Sequence, residues 1–352
     1  MKSLYIVGAG SSRNYAQSTH HIPNLKTPLN QDFFKMARLV IENTGMMSDQ
    51  SFMEEIEHLI MTVAPMYGNK TDLSFFDRPG LSLEEVMTLL DIDAKLFSQS
   101  TFGKPWQSES RQTRVLKDLL ARTLDYTLTG PLCKKHIALA KRMKSGDLVL
   151  SFNYDILIDN ALYHTGKLTD SGYGMNFFKT NADETWTRPN EMPSDVALLK
   201  LHGSLNWTRC GQCGALVLYH YRKQVQYGAI MFQCPRCSSD DSYAQRMMIP
   251  PIQSKEYSDR DIGFLWVQAD RMMREISRIV CVGYSFPYTD FDMLSLMRRF
   301  RARQPEKPEI DFVSPDLEAE KRLKDLLGVT EIDRFDDLST YLNSQSVTPK
   351  SS

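Results

Sequence analysis

The chain opens on a short apolar run, Leu4-Tyr5-Ile6-Val7, that stops at Gly8-Ala9-Gly10-Ser11-Ser12. A run of that length ending in small residues predicts a buried strand followed by a tight turn. From residue 32 to 144 the pattern changes. Apolar residues recur at three- and four-residue intervals in 52–63, 83–98 and 111–128, which predicts helices with one buried face. Ser82, just ahead of Glu84 and Glu85, marks a helix start. Strand patterns then return at 147–152, 196–201, 278–282 and 309–313 as near-continuous apolar runs, the form taken by parallel strands covered on both faces. Helical patterns follow at 156–163, 290–303 and 317–327. Alternation of this kind predicts an open, doubly wound, mostly parallel α/β sheet of the Rossmann-like class. Residues 1–31 and 145–345 would form its core and 32–144 a helical insertion between the first two core strands. Residues 346–352, SVTPKSS, read as a flexible tail.

Composition narrows the function classes. The 352 residues give room for about two domains, or one large domain with insertions. With 42 basic and 43 acidic residues the net charge is −1, so no global field favours nucleic acid or an acidic membrane. The first apolar run is too short for a signal peptide, and no stretch reaches the roughly eighteen apolar residues of a membrane span. A soluble, cytoplasmic protein is expected.

Four of the six cysteines fall as Cys210-x-x-Cys213, twenty residues, then Cys234-x-x-Cys237. Two such pairs at this spacing predict a tetrahedral four-cysteine zinc ribbon within residues 208–240. A closed set of four thiolates leaves no open position on the ion, so the zinc would be structural. Cys133 and Cys281 lie in apolar surroundings and read as small core residues. Paired cysteines that bind metal fit a reducing compartment.

Other candidate chemistry lies at strand ends, where open α/β sheets bind ligands. Gly8 and Gly10, flanking Ala9, would let the backbone approach a pyrophosphate, with free amides at a helix start and hydroxyls from Ser11 and Ser12 donating to it. Arg13 stands where the dinucleotide fingerprint has its third glycine, and a ligand-free tight turn is an equal reading of the motif. Asn153, after the strand in DLVLSF, can hold a sugar hydroxyl or a water, or it can cap the next helix; Asp155 reads mainly as a cap. His202, ending VALLKL, can accept a proton near neutral pH, or be a satisfied core histidine. Gly283 and Ser285 close another strand, and Ser314 a further one, where the second half of a nucleotide would rest. Asp290 and Asp292 begin a helix and read as structural carboxylates. The two-proline stretch MIPPIQSKEY (248–257) reads as a loop that closes over the site.

In order, the chain shows GAGSS, SFNYD, LHGS, a four-cysteine module, VGYSF and VSPD. This series resembles the sirtuin-like superfamily, over about half of the chain and with 32–144 outside it. The resemblance implies NAD+ as substrate and Asn153 and His202 as the catalytic pair. It also implies Gly8, Ala9, Gly10, Ser11, Ser12, Asp155, Gly283, Ser285 and Ser314 as NAD+-binding residues. Protein-deacylating sirtuins carry a Phe-Gly-Glu segment after the zinc module that clamps the acyl-lysine peptide, and this chain has MIPPIQSKEY there instead. With NYD in place of Asn-Ile-Asp and the helical insertion, the chain looks more like the sirtuin-like NAD+ hydrolases of bacterial antiphage defence. That likeness implies homo-oligomerisation and a partner such as a helicase-like ATPase or an argonaute-like protein. A deacylase or ADP-ribosyltransferase, and a non-enzymatic interaction module, are the other readings.

Overall fold

The computed structural model describes residues 2–13, 15, 17–68, 72–96, 110–180, 186–187, 193–219, 233–239, 244–249 and 260–344. In chain order the strands are β1 (Lys2–Val7), β2 (Leu148–Ser151), β3 (Phe178–Thr180), β4 (Trp186–Thr187), β5 (Ala197–Lys200), β6 (Gly203–Cys210), β7 (Leu216–Leu218), β8 (Ala244–Met248), β9 (Ile276–Val282), β10 (Glu309–Val313) and β11 (Asp333–Phe335). The helices are α1 (Phe33–Asn43), α2 (Gln50–Tyr67), α3 (Leu83–Leu96), α4 (Arg111–Thr127), α5 (Lys134–Arg142), α6 (Leu157–His164), α7 (Arg260–Met272), α8 (Phe291–Arg303), α9 (Leu317–Leu327) and α10 (Leu338–Ser344).

Six strands form one sheet in the order β11-β10-β9-β1-β2-β5, and every neighbouring pair is parallel. Its apolar runs are buried on both faces: Leu4, Ile6, Val149, Leu150, Leu198, Ile279 and Val280 are all fully buried. Each such side chain contributes roughly 1.5–3 kcal/mol by leaving water. From β1 the chain builds β2 and β5 on one side and β9 to β11 on the other. The strand order therefore reverses between β1 and β9, and the crevice beyond their carboxyl ends is where an open α/β sheet receives a ligand.

A second sheet, β4-β3-β7-β6-β8, extends beyond the expected ribbon. Its β3, β4 and β7 are two or three residues long, too short to print an alternating pattern. The chain passes from the first sheet to the second through Leu201-His202-Gly203. Gly203 makes the passage possible: its φ is +79°, and a Cβ there would lie 1.9 Å from the Met247 carbonyl oxygen.

Helices α1 to α4 enclose a hydrophobic cluster of their own, with Phe33, Ile41, Ile56, Phe75, Val86, Leu116 and Leu119 at its centre. Local signals set their starts. Asp49 accepts from the Phe52 amide at 3.1 Å, Ser82 from Glu85 at 3.2 Å and Ser110 from Thr113 at 3.1 Å. Leu157 of α6, Leu205 of β6 and Met248 of β8 join the same cluster and fasten the helices to α6 and to the second sheet. Among the described residues no helix is long and apolar enough to cross a membrane. Residues 250–257 of the proline-rich stretch and the tail 346–352 lie outside the described residues.

Candidate active site

Two glycine turns interlock at the point where strand order reverses. The Gly8 amide donates to Val282 O at 3.0 Å, Gly10 to Gly283 O at 2.9 Å and Gly283 to Val313 O at 3.0 Å. A Cβ on Gly8 would sit 2.5 Å from Tyr284 Cα, and one on Gly283, whose φ is +64°, would sit 2.2 Å from Ser11 N. The glycines thus allow two backbone segments to touch. This differs from the expectation of free amides: Gly8 and Gly10 are already paired, and the Ser11 and Ser12 amides close a short 3-10 turn onto Gly8 O and Ala9 O. Both glycine turns are legible in the sequence as strand ends, but their pairing across the sheet is not.

Asn153 follows β2 by two residues and is buried. Its side-chain nitrogen contacts Ser11 Oγ at 3.2 Å and Ser12 Oγ at 3.3 Å, while Oδ1 is buried without a hydrogen-bond partner. Ser12 Oγ donates to Asp155 Oδ2 at 2.8 Å, and Asp155 Oδ1 accepts from the Leu157 amide at 3.0 Å. Asp155 therefore starts α6, as its type and position suggest, and also holds Ser12. Burial pushes its carboxyl up from the ordinary value, against the opposing pull of Lys200 and its hydrogen bonds.

His202, between β5 and β6, is 7% exposed and stands edge-on to Phe152, with ring centroids 5.1 Å apart. Its Nε2 lies 3.3 Å from Asp290 Oδ2. The same carboxylate oxygen accepts from Tyr284 Oη at 2.5 Å, and burial with the adjoining Asp290 charge raises the Tyr284 hydroxyl well above its usual range. The sequence marks Asp290 only as a helix-start carboxylate. It does precede α8, yet its side chain makes no capping bond and turns instead to His202 and Tyr284. A carboxylate in that place can orient the imidazole and stabilise its protonated form, which suits a proton acceptor.

Asn153 and His202 line one cavity of about 140 Å³ at the carboxyl edge of the parallel sheet. Ala9, Phe152, Tyr154 and Asp155 complete the sheet side. The opposite wall comes from the helical block: Phe33 of α1, Leu83 of α3, and Leu120 and Leu124 of α4. The segment Thr27–Pro28–Leu29–Asn30 closes one side. Arg13 holds that segment in place, donating to Thr27 O at 2.7 Å and pairing with Asp32. In the sequence Arg13 registers only as a missing glycine.

The remaining candidates sit on the same edge but outside this cavity. Ser285 is exposed beyond β9, with its carbonyl accepting from the Arg322 guanidinium at 2.9 Å. Ser314 follows β10, and its Oγ accepts from the Asp316 amide at 3.2 Å.

The four ribbon cysteines converge, all four sulfurs lying within 4.8 Å of one another. Cys210 and Cys237 are 3.6 Å apart and Cys213 and Cys234 3.5 Å. Thiolates about 2.3 Å from one tetrahedral ion have sulfurs about 3.8 Å apart, so the set fits zinc. Hydrogen bonds from Ser239 push the Cys237 thiol down to about 6, whereas burial pushes the Cys213 thiol up to about 12. Cys133 and Cys281 are buried, as expected of small core residues.

A six-stranded parallel sheet with helices, a crevice at its reversal point and a four-cysteine zinc site define an α/β protein of the Rossmann-like class. Solved structures similar to it include Sir2 proteins. A mutant Sir2 homologue in complex with ADP-ribose has 13% identity over 99% of this chain and 94% of that one, with a TM-score of 0.44. A Sir2–p53 peptide–NAD+ structure has 10% identity over 97% and 91%, at 0.38. A third, on the mechanism and regulation of Sir2 enzymes, has 12% over 97% and 89%, at 0.37. These values describe a distant likeness of fold. No protein-family model and no curated protein matches the chain.

Proposed function

We propose that the protein hydrolyses NAD+ at the nicotinamide–ribose bond, releasing nicotinamide and ADP-ribose. The observation that carries this reading is the shared cavity. Asn153 and His202, two polar side chains of the sirtuin-like motif series, reach it from the ends of different strands beside the crevice of the sheet. Breaking the bond leaves its electron pair on the departing nicotinamide and builds oxocarbenium-like charge at the anomeric carbon. Asn153 Oδ1 accepts a hydrogen bond from a ribose hydroxyl or from the attacking water. The water oxygen bonds to the anomeric carbon, and His202, backed by Asp290, takes the proton released. The interlocked glycine turns act by shape, forming the crevice edge at which the pyrophosphate is held. Fixing the sugar in this way supplies several kcal/mol of the barrier, on the order of the proximity effects known for oriented reactants.

Ser285 and Ser314 are assigned to the far half of NAD+, and zinc to holding the ribbon beside the site. The division into core (1–31 and 145–345), helical insertion (32–144), ribbon (208–240) and tail (346–352) belongs to the same reading. So do a role as an antiphage effector, activation by self-assembly and a partner polypeptide. The helical block already walls the cavity, so it is the element through which a trigger would act. Mass spectrometry of NAD+ incubated with the protein, alone and with its genomic neighbour, tests the reaction. Free ADP-ribose and nicotinamide without any acceptor peptide support it; acetyl-ADP-ribose formed only with an acyl-peptide contradicts it.

A further inference from the structure

We infer that the buried Lys200, acting through Asp155 and Ser12, fixes which way the Asn153 amide faces and so aims its oxygen into the cavity. The inference rests on the proposed reaction for its kinetic consequence but on hydrogen-bond logic for its substance. A carboxylate only accepts hydrogen bonds. Asp155 Oδ1 takes the Leu157 amide proton and Oδ2 takes the single proton of Ser12 Oγ. Ser12 then has only lone pairs left for Asn153, 3.3 Å away, so the side chain of Asn153 must present its NH2 group there. Its second N–H is within 3.2 Å of Ser11 Oγ. The amide oxygen is thereby turned away from both serines, and it is the atom found buried and unpartnered. An acceptor in that state calls for a donor from the ligand: a hydroxyl or a water.

The relay has this polarity only while Asp155 is a carboxylate. A protonated Asp155, still bound to take the Leu157 amide on one oxygen, would donate from the other to Ser12 and reverse every bond up to Asn153. Lys200 is the nearby cation that opposes this. It is fully buried, donates from Nζ to Asp155 O at 2.5 Å and pairs with Asp159 Oδ2 at 3.0 Å. Asp159 in turn accepts from Tyr173 Oη at 2.6 Å. A fully buried lysine is costly to maintain unless its charge is compensated, and here the buried Asp159 pairs with it. Lys200 is a positioning residue: it touches neither the cavity nor Asn153.

Asp155→Asn is the sharpest test because it is isosteric. Its carbonyl oxygen must face the Leu157 amide, which leaves an NH2 facing Ser12 and inverts the relay. Exchange of the Asn153 side-chain amide protons, followed by NMR on the full chain, reads the inversion without any substrate. We expect slow exchange in the wild type and exchange at least about tenfold faster in Asp155→Asn, because NH2 now faces the cavity. Folded Lys200→Met should move the same way. If the proposed reaction holds, Asp155→Asn lowers kcat by about 100-fold, the scale of losing one aligned polar contact, with KM little changed. In an Asn153→Ala background it should then cost nothing further. Unchanged Asn153 exchange in Asp155→Asn overturns the inference, and unchanged exchange in folded Lys200→Met removes Lys200 from it. Absence of NAD+ turnover in the wild type would refute the proposed function instead, leaving the exchange result to decide the relay.

Discussion

His202 Nε2 lies 3.3 Å from Asp290 Oδ2, and both side chains are buried, with His202 lining the cavity. The pairing joins a residue between two sheets to one at the head of α8, nearly ninety positions away. Under the proposed reaction, general-base catalysis contributes about 10²–10⁴-fold, and Asp290 supports it by holding the ring and stabilising its proton. Asp290→Asn should therefore lower kcat by about 10- to 100-fold while leaving KM nearly unchanged, since the side chain does not bind the sugar. Steady-state kinetics of nicotinamide release checks this, and an Asp290→Asn enzyme at wild-type kcat would remove Asp290 from the mechanism.

Gly283 meets a backbone requirement that a larger residue would violate. Its φ is +64°, and Ser11 N lies 2.2 Å from the point a Cβ would occupy, which leaves no room for a methyl group. Gly283→Ala should cost on the order of 1–3 kcal/mol of stability, from strain together with separation of the two turns. It should also weaken NAD+ binding, because the turns part at the crevice. Thermal denaturation and calorimetric titration give the two readouts.

Removal of zinc should act on stability before chemistry. The ribbon is covalently continuous with β6, whose first residue follows His202. Purified protein should contain one zinc per chain, and a strong chelator or Cys234→Ser should lower the melting temperature, since metal binding and folding are coupled. Elemental analysis and a melting curve decide the matter. A metal-free protein with an unchanged melting temperature would contradict the assignment.

Acid should loosen the contact between α7 and α8. Hydrogen bonds from Arg299 and then Arg303 hold Asp270 at about 2, below its ordinary 3.8. A lowered carboxyl pKa contributes stability that is present above the unfolded value and is lost as pH falls through the folded one. The loss should run from about pH 4 to pH 2 and amount to about 1 kcal/mol, because the exposed Arg299 is screened by solvent. Asp270→Asn should flatten that part of the stability–pH curve measured by denaturant titration.

Much of this architecture is legible in the sequence for a physical reason. Parallel strands covered on both faces must be apolar throughout, so β1, β2, β5, β9 and β10 print as continuous runs. Helix starts print as Asp49, Ser82 and Ser110 because capping is a local interaction. The second sheet does not print, since strands such as β3 and β7 are defined by distant partners rather than by their own pattern. The same contrast divides the site. Asn153 and His202 stand out because they interrupt apolar strands at their ends. Asp290 does not, because an aspartate before a helix has an adequate local explanation, and only the fold brings it to His202. Arg13 and Lys200 are hidden likewise: their partners Asp32, Asp155 and Asp159 become neighbours only when the chain is folded.

The most direct test of the central claim is the fate of NAD+ itself. NAD+ incubated with the wild-type protein, alone and with its genomic neighbour, should yield equimolar nicotinamide and ADP-ribose by quantitative mass spectrometry. Folded Asn153→Ala and His202→Ala proteins should yield neither above background. Wild-type rates of release from either variant would contradict the account.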